Sequence, residues 1–166
     1  DFLPKFESMC AEAGYPLDRL QLEITEQTLV RQVELAASNV QSLRAKGVRV
    51  AIDDFGMGYS SLTYLRQFPV DVLKIDRTFI QDIQTLAPAR VGVSLADAII
   101  AMAKSLGLAL IAEGVEYPAQ ISYLHRQACD SAQSFLFSEP CNATQMQRLL
   151  DHEGFAHLLE AALPIE

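Results

Sequence analysis

The sequence predicts an α/β fold of parallel strands joined by helical crossovers, on three observations. Strand-like alternation and helix-like periodicity follow one another in turn along the chain. Glycine or proline punctuates the changes of period, at Gly14, Pro16, Gly47, Pro69, Gly107 and Pro118. Polar residues fall at the C-terminal ends of the strand segments, the edge where α/β sheets and barrels place their sites. Handedness rules wind such crossovers the same way each time. Five units of this kind fit either an open doubly wound sheet or part of a barrel.

Taken in order, residues 4–13 read as the end of an amphipathic helix closed by Gly14 and Pro16. Residues 20–25 (LQLEIT) alternate as a first strand. Residues 28–46 are helical, with Leu29, Val33, Leu35, Ala36, Val40 and Leu43 at helical spacing and Gly47 as the stop. The second strand is VRVAIDDF, residues 48–55, followed by a glycine-containing loop and a short helix ending near Gln67. Residues 71–76 (DVLKID) form the third strand, and 77–106 are mostly helical with a break near Pro88. The fourth strand is 108–113 (LALIAE), a helix over 118–128 follows, and 133–137 (QSFLF) is the fifth strand. Helices are expected at 143–151 and 154–162. With no internal repeat, low-complexity tract or linker, residues 1–166 read as one domain.

The composition, 50% hydrophobic and 20% charged over 166 residues, is that of a globular chain. A net charge of −8 with no run of Lys and Arg argues against nucleic-acid duplexes and anionic membranes as partners. No apolar run reaches the roughly 18 residues a membrane span needs, and no secretory leader opens the chain. Starting at Asp1 without a methionine, the sequence reads as an excised fragment or processed chain. Cys10, Cys129 and Cys141 lack metal-site spacing and are odd in number, as expected of free thiols in a reducing cytoplasm.

The chemistry lies in the strand polar residues. Alternation sets Leu22 and Ile24 toward the helices and Glu23 the other way. It does the same for Asp53, with Asp54 just past the strand end, for Lys74 and Asp76, for Glu113, and for Gln133. Buried parallel strands read as nearly continuous apolar runs, and unpartnered carboxylates there would cost several kcal/mol each. Convergent carboxylates with one lysine therefore point to a site for hard divalent cations, Mg²⁺ or Mn²⁺. Without a histidine among them, zinc or iron does not fit. GMGYSS lacks a third glycine, so Gly56 and Gly58 read as a flexible loop rather than a nucleotide cradle. His125, His152 and His157 fall on helices or their ends, Ser60 and Ser61 lack triad partners, and Tyr123, Phe135 and Phe137 read as core.

Five segments in order, LEITE (22–26), DDFGMGYSSL (53–62), KID (74–76), AEGVE (112–116) and QSFLFSEP (133–140), resemble the EAL domain family. The resemblance implies a TIM-like (β/α) barrel, incomplete in this chain, and hydrolysis of cyclic di-GMP to linear pGpG at a two-metal site. Glu23, Asp53, Asp54, Asp76 and Glu113 would be metal ligands. Lys74 would orient or deprotonate the attacking water, with Asp76 and Gln133 supporting it. Glu26 and Glu116 would stand behind the ligands, Glu26 anchoring the loop after Asp54. Paired cations about 3.5–4 Å apart suit a phosphodiester, because both attacking and leaving oxygens are stabilised. They also reconcile an acidic protein with an anionic substrate.

The family's Glu-Ala-Leu strand, with its glutamate ligand and nearby arginine, is absent, as is the following strand with its asparagine ligand. The match covers roughly the last two-thirds of such a domain, whose barrel runs to about 250 residues. Met57 replaces the usual threonine, Ser134 a glycine and Glu139 a common basic residue. The expected protein is thus a cytoplasmic cyclic di-GMP phosphodiesterase of which these residues alone are weakly active or inactive. The competing expectation is a receptor that binds without cleaving. The resemblance also implies a homodimer, coupled through the loop from Phe55 to Ser61, and allows for fused sensory or GGDEF domains.

Overall fold

The computed structural model describes residues 2–31, 33–56, 65, 68–85 and 95–151. The expected helix ending near Gln67, the break near Pro88 and the helix at 154–162 lie outside the described residues. Five strands stand in one sheet in chain order: β1 (Gln21–Thr25), β2 (Arg49–Phe55), β3 (Val72–Ile75), β4 (Ala109–Glu113) and β5 (Ser131–Gln133). The helices are α1 (Phe2–Ala13), α2 (Glu26–Arg31), α3 (Val33–Ala45), α4 (Arg77–Thr85), α5 (Leu95–Ser105), α6 (Pro118–Arg126) and α7 (Ala143–Asp151). Parallel neighbours cannot be joined by a tight hairpin, and α2 and α3 follow β1, α4 and α5 follow β3 and α6 follows β4 as the crossovers. Among the described residues no helix is long and apolar enough to cross a membrane.

By their contacts the residues fall into two units, Asp1–Lys74 with Ala103–Ala109, and Ile75–Met102 with Leu110–Glu166. In the first, β1 pairs with β2 in parallel, Leu22 opposite Val50 and Thr25 opposite Asp53. Val50, Ala51 and Ile52 are buried, and α3 lays Ala36, Val40 and Leu43 against β2. Those three positions recur at the spacing of one helical face, and burial of Val40 and Leu43 contributes about 1.5–3 kcal/mol apiece. In the second unit β4 pairs with β5 in parallel, Ala112 opposite Ala132 and Glu113 opposite Gln133. Ile80, Leu110, Val115, Ile121 and Leu124 supply its core.

An aspartate fastens the start of a strand in each unit. Asp71, just before β3, accepts the Val50 amide through Oδ2 at 2.9 Å and Arg44 Nε through Oδ1 at 3.0 Å. Asp130, just before β5, accepts the Leu110 amide at 2.8 Å. Each takes an N–H from the preceding strand that the ladder would otherwise leave unpaired.

Two expectations need correction. The helix expected over 28–46 is described over 26–31 and 33–45, and it starts at Glu26, directly after β1. A carboxylate in that first turn complements the helix dipole, which favours the early start. The fifth strand occupies Ser131–Gln133 rather than 133–137. Asp130 sets its beginning, and Ser134 ends it: the hydroxyl accepts the Leu136 amide at 3.0 Å and the carbonyl the Phe137 amide at 3.3 Å. Such local bonds compete with the ladder and turn the chain. Phe135, expected in the core, is consequently 76% exposed.

Candidate functional site

In the first unit the register of β1 with β2 puts Glu23, Thr25, Ala51 and Asp53 on one sheet face, because strand side chains alternate. Lys74 of β3 reaches this face with its side chain only 4% exposed. Its Nζ lies 2.7 Å from Glu23 Oε2 and 3.1 Å from Asp53 Oδ1. An ammonium withdrawn from water costs several kcal/mol unless it is paired, and these two carboxylates meet that need. Ala51, fully buried opposite Glu23, keeps the space between them free of a larger side chain.

The chain turns sharply where β2 ends. Asp54 adopts φ +54°, a left-handed conformation that Asp tolerates better than most residues, and its amide donates to Asp53 Oδ1 at 3.0 Å. Gly56 follows at φ +99°, and its amide donates to Glu26 Oε2 at 3.0 Å. Glu26 itself is 6% exposed. A carboxylate from α2 therefore holds the turn that presents Asp53 and Asp54. Gly58 and Met57 lie outside the described residues.

The contacts of Asp53 with Lys74 and with the Asp54 amide both fall on Oδ1, and Glu23 meets Lys74 through Oε2. Among the described residues the other oxygen of each acid takes no hydrogen bond or ion pair.

The second unit holds Asp76, Glu113, Glu116 and Gln133. Asp76 follows β3 and caps α4, its Oδ1 accepting the Thr78 amide at 2.9 Å and the Thr78 hydroxyl at 2.6 Å. Glu113 ends β4 opposite Gln133, and the next amide, of Gly114, donates to the Gln133 carbonyl at 3.0 Å. Gly114 sits at φ +66°, and a Cβ there would come within 2.4 Å of Arg77 Cβ. Only glycine meets both demands. Glu116 is exposed and accepts Gln81 Nε2 of α4 at 3.3 Å.

Sequence reading overlooked Gln120, Asp71 and Asp130. Gln120 is fully buried: its Oε1 accepts the Glu116 and Tyr117 amides at 2.7 and 3.0 Å, and its Nε2 donates to the Ile80 carbonyl at 2.9 Å. A glutamine two residues after Pro118 at a helix start was the available signal, being the N3 position of a capping box. Among the histidines, His125 is exposed on α6, while His152 and His157 lie outside the described residues. Cys10, Cys129 and Cys141 carry no disulfide.

Residues 1–140 match the model of the EAL domain family. The chain is 41% identical over 154 residues to the cyclic di-GMP phosphodiesterase NbdA of Pseudomonas aeruginosa, covering 93% of this chain and 19% of that protein. Among solved structures it resembles the phosphodiesterase PaMucR in complex with c-di-GMP, with a TM-score of 0.77 and 37% identity over 87% of this chain and 57% of that one. It also resembles Klebsiella pneumoniae BlrP1, solved with manganese and cy-diGMP, with a TM-score of 0.71 and 29% identity over 84% of this chain and 35% of that one. The fold is thus that of a TIM-like barrel, of which this chain forms a part.

Proposed function

The chain belongs to the EAL domain family, and from that premise we propose that it forms part of a divalent-metal-dependent phosphodiesterase that hydrolyses cyclic di-GMP to linear pGpG. The observation that carries the reading is Lys74, buried and held between Glu23 and Asp53. A lysine so placed has its ammonium fixed at an acidic face, where it can hold an anionic substrate's attacking water.

Asp53 and Asp54 in the first unit and Glu113 in the second supply carboxylate oxygens, the donor type that Mg²⁺ and Mn²⁺ prefer. We assign these three, with Glu23 and Asp76, to a pair of such ions. The uncommitted oxygens of Glu23 and Asp53 fit that role, as does Asp76, whose capping bonds occupy Oδ1 alone. Bound divalent ions would supply charge stabilisation at the phosphate and a more acidic water. Lys74 Nζ orients that water for in-line attack, and Gln133, beside Glu113 in the ladder, supports its position. The water oxygen bonds to phosphorus, one P–O3′ bond breaks, and the released O3′ takes up a proton, leaving a 5′-phosphate. Glu26 holds the turn carrying Asp54, and Glu116 braces the segment after Glu113.

Taken alone, the 166 residues turn over poorly, because the glutamate, asparagine and arginine of the family's first strands are not among them. The whole protein acts as a cytoplasmic homodimer, with sensory or GGDEF domains as its companions. The test is conversion of cyclic di-GMP to pGpG, followed by chromatography, by the longest protein containing this chain, with Mg²⁺ or Mn²⁺ and with chelator. Metal-dependent product formation supports the proposal; intact substrate at every metal concentration refutes it. A receptor reading is favoured by Ser134, whose hydroxyl ties the turn just after Gln133 where the family has glycine. Saturable binding of cyclic di-GMP without product would select it.

A further inference from the structure

We infer that Gln120 is a positioning residue for Glu113, holding the segment after β4 so that the glutamate keeps the geometry an ion requires; this rests on the metal role proposed for Glu113. Glu113 is the last residue of β4, and the chain leaves the sheet immediately after it. In the ladder the glutamate stands opposite Gln133, and the next amide, of Gly114, bonds the Gln133 carbonyl. Beyond Gly114 the backbone amides of Glu116 and Tyr117 both point to one atom, Gln120 Oε1, at 2.7 and 3.0 Å.

Gln120 cannot drift. It is fully buried at the start of α6, its own amide donates to the Tyr117 carbonyl at 3.0 Å, and its Nε2 is tied to the Ile80 carbonyl of α4. The amide group thus links α4, α6 and the three-residue segment 114–116. Half a capping box would need only the Tyr117 amide. The second acceptance, from Glu116, adds nothing to α6 and instead fixes the segment leading back to Glu113. Groups that orient metal ligands without touching the ion change affinity when removed, by about 10–100-fold for direct partners of a ligand. Acting through backbone, Gln120 should sit at the low end.

The test is Mn²⁺ titration, by calorimetry, of the longest protein containing this chain, comparing wild type with Gln120→Met, Glu113→Gln and Ile80→Ala. Gln120→Met keeps volume and loses all three side-chain bonds, and it should weaken Mn²⁺ binding about tenfold. Ile80→Ala opens a cavity in the same core but keeps the backbone carbonyl; it should lower Tm and leave Mn²⁺ affinity unchanged. Equal losses of affinity in these two variants would overturn the inference. If Glu113→Gln weakens binding and Gln120→Met does not, Gln120 has no positioning role while the metal reading stands. If Glu113→Gln has no effect, or the wild type binds no Mn²⁺, the metal reading fails and the inference with it. Should Gln120→Met not fold, amide exchange in the wild type decides: Mn²⁺ should slow exchange at Glu116 and Tyr117, and unchanged rates would refute the link.

Discussion

Removing the cation at the acidic face should have a very different effect from removing the anions. Lys74 Nζ gains about 5–6 kcal/mol of gross attraction from each of two carboxylates at roughly 3 Å, taking an effective dielectric near 20. Withdrawal of an ammonium from water offsets most of that, at several kcal/mol. Lys74→Met removes both terms. The charges left behind sit on Glu23, whose side chain is 42% exposed, and Asp53, 22% exposed, so water still reaches them. The net loss should be about 1 kcal/mol, or a fall in Tm of about 2–4 °C for a chain of this length. Changing Glu23→Gln with Asp53→Asn keeps the shape but takes two carboxylate charges away from a lysine whose side chain is 4% exposed. Breaking a buried pair in that direction costs about 3–5 kcal/mol, a fall of about 6–20 °C. Calorimetric melting of the three proteins at one pH and salt concentration measures both. Equal falls would mean that Lys74 is not stabilised by these two acids. In the longer protein, Lys74→Met should also abolish cleavage while Mn²⁺ binding is kept or strengthened, since a competing positive charge has gone. Weaker binding would contradict its assignment as the water-orienting group.

Gly114→Ala should cost about 1–2 kcal/mol for the left-handed backbone and about 1–3 kcal/mol more for the clash with Arg77, seen as a lower urea midpoint with unchanged slope. Glu26→Ala should cost about 1.5–3 kcal/mol, the range for a hydrogen bond to a charged group, and lower Mn²⁺ affinity by loosening the turn at Asp54. An unchanged affinity would separate Glu26 from the site. Asp71→Ala should cost a similar amount through the Val50 amide and Arg44 yet leave Mn²⁺ affinity intact, because it fastens the opposite end of the strands.

The alternation of periods was enough to place β1 to β4 and the helices around them, because Leu and Val faces there agree with local propensity. It failed at β5, where three residues are too few to show a period and the apolar run SFLF imitates a strand. The competing signal was Ser134, a residue that bonds its own backbone and ends the ladder. Residues at strand ends announced themselves as charges in apolar runs, which is why Glu23, Asp53 and Lys74 were legible. Asp71 and the tie of Gln120 to α4 were not, since the Val50 amide and the Ile80 carbonyl are distant in sequence and only the fold brings them near.

Asp54 occupies a backbone conformation that suits only a few residue types, chiefly glycine, asparagine and aspartate. Replacement by Asn or Gly would silence the carboxylate while satisfying the turn at least as well. On the metal role proposed for Asp54, descendants of such a domain can therefore lose their chemistry and keep their architecture through a single change at this corner. A silent relative that retained Lys74 and Glu23 but carried Asn at this position would be a folded protein free to take up another role.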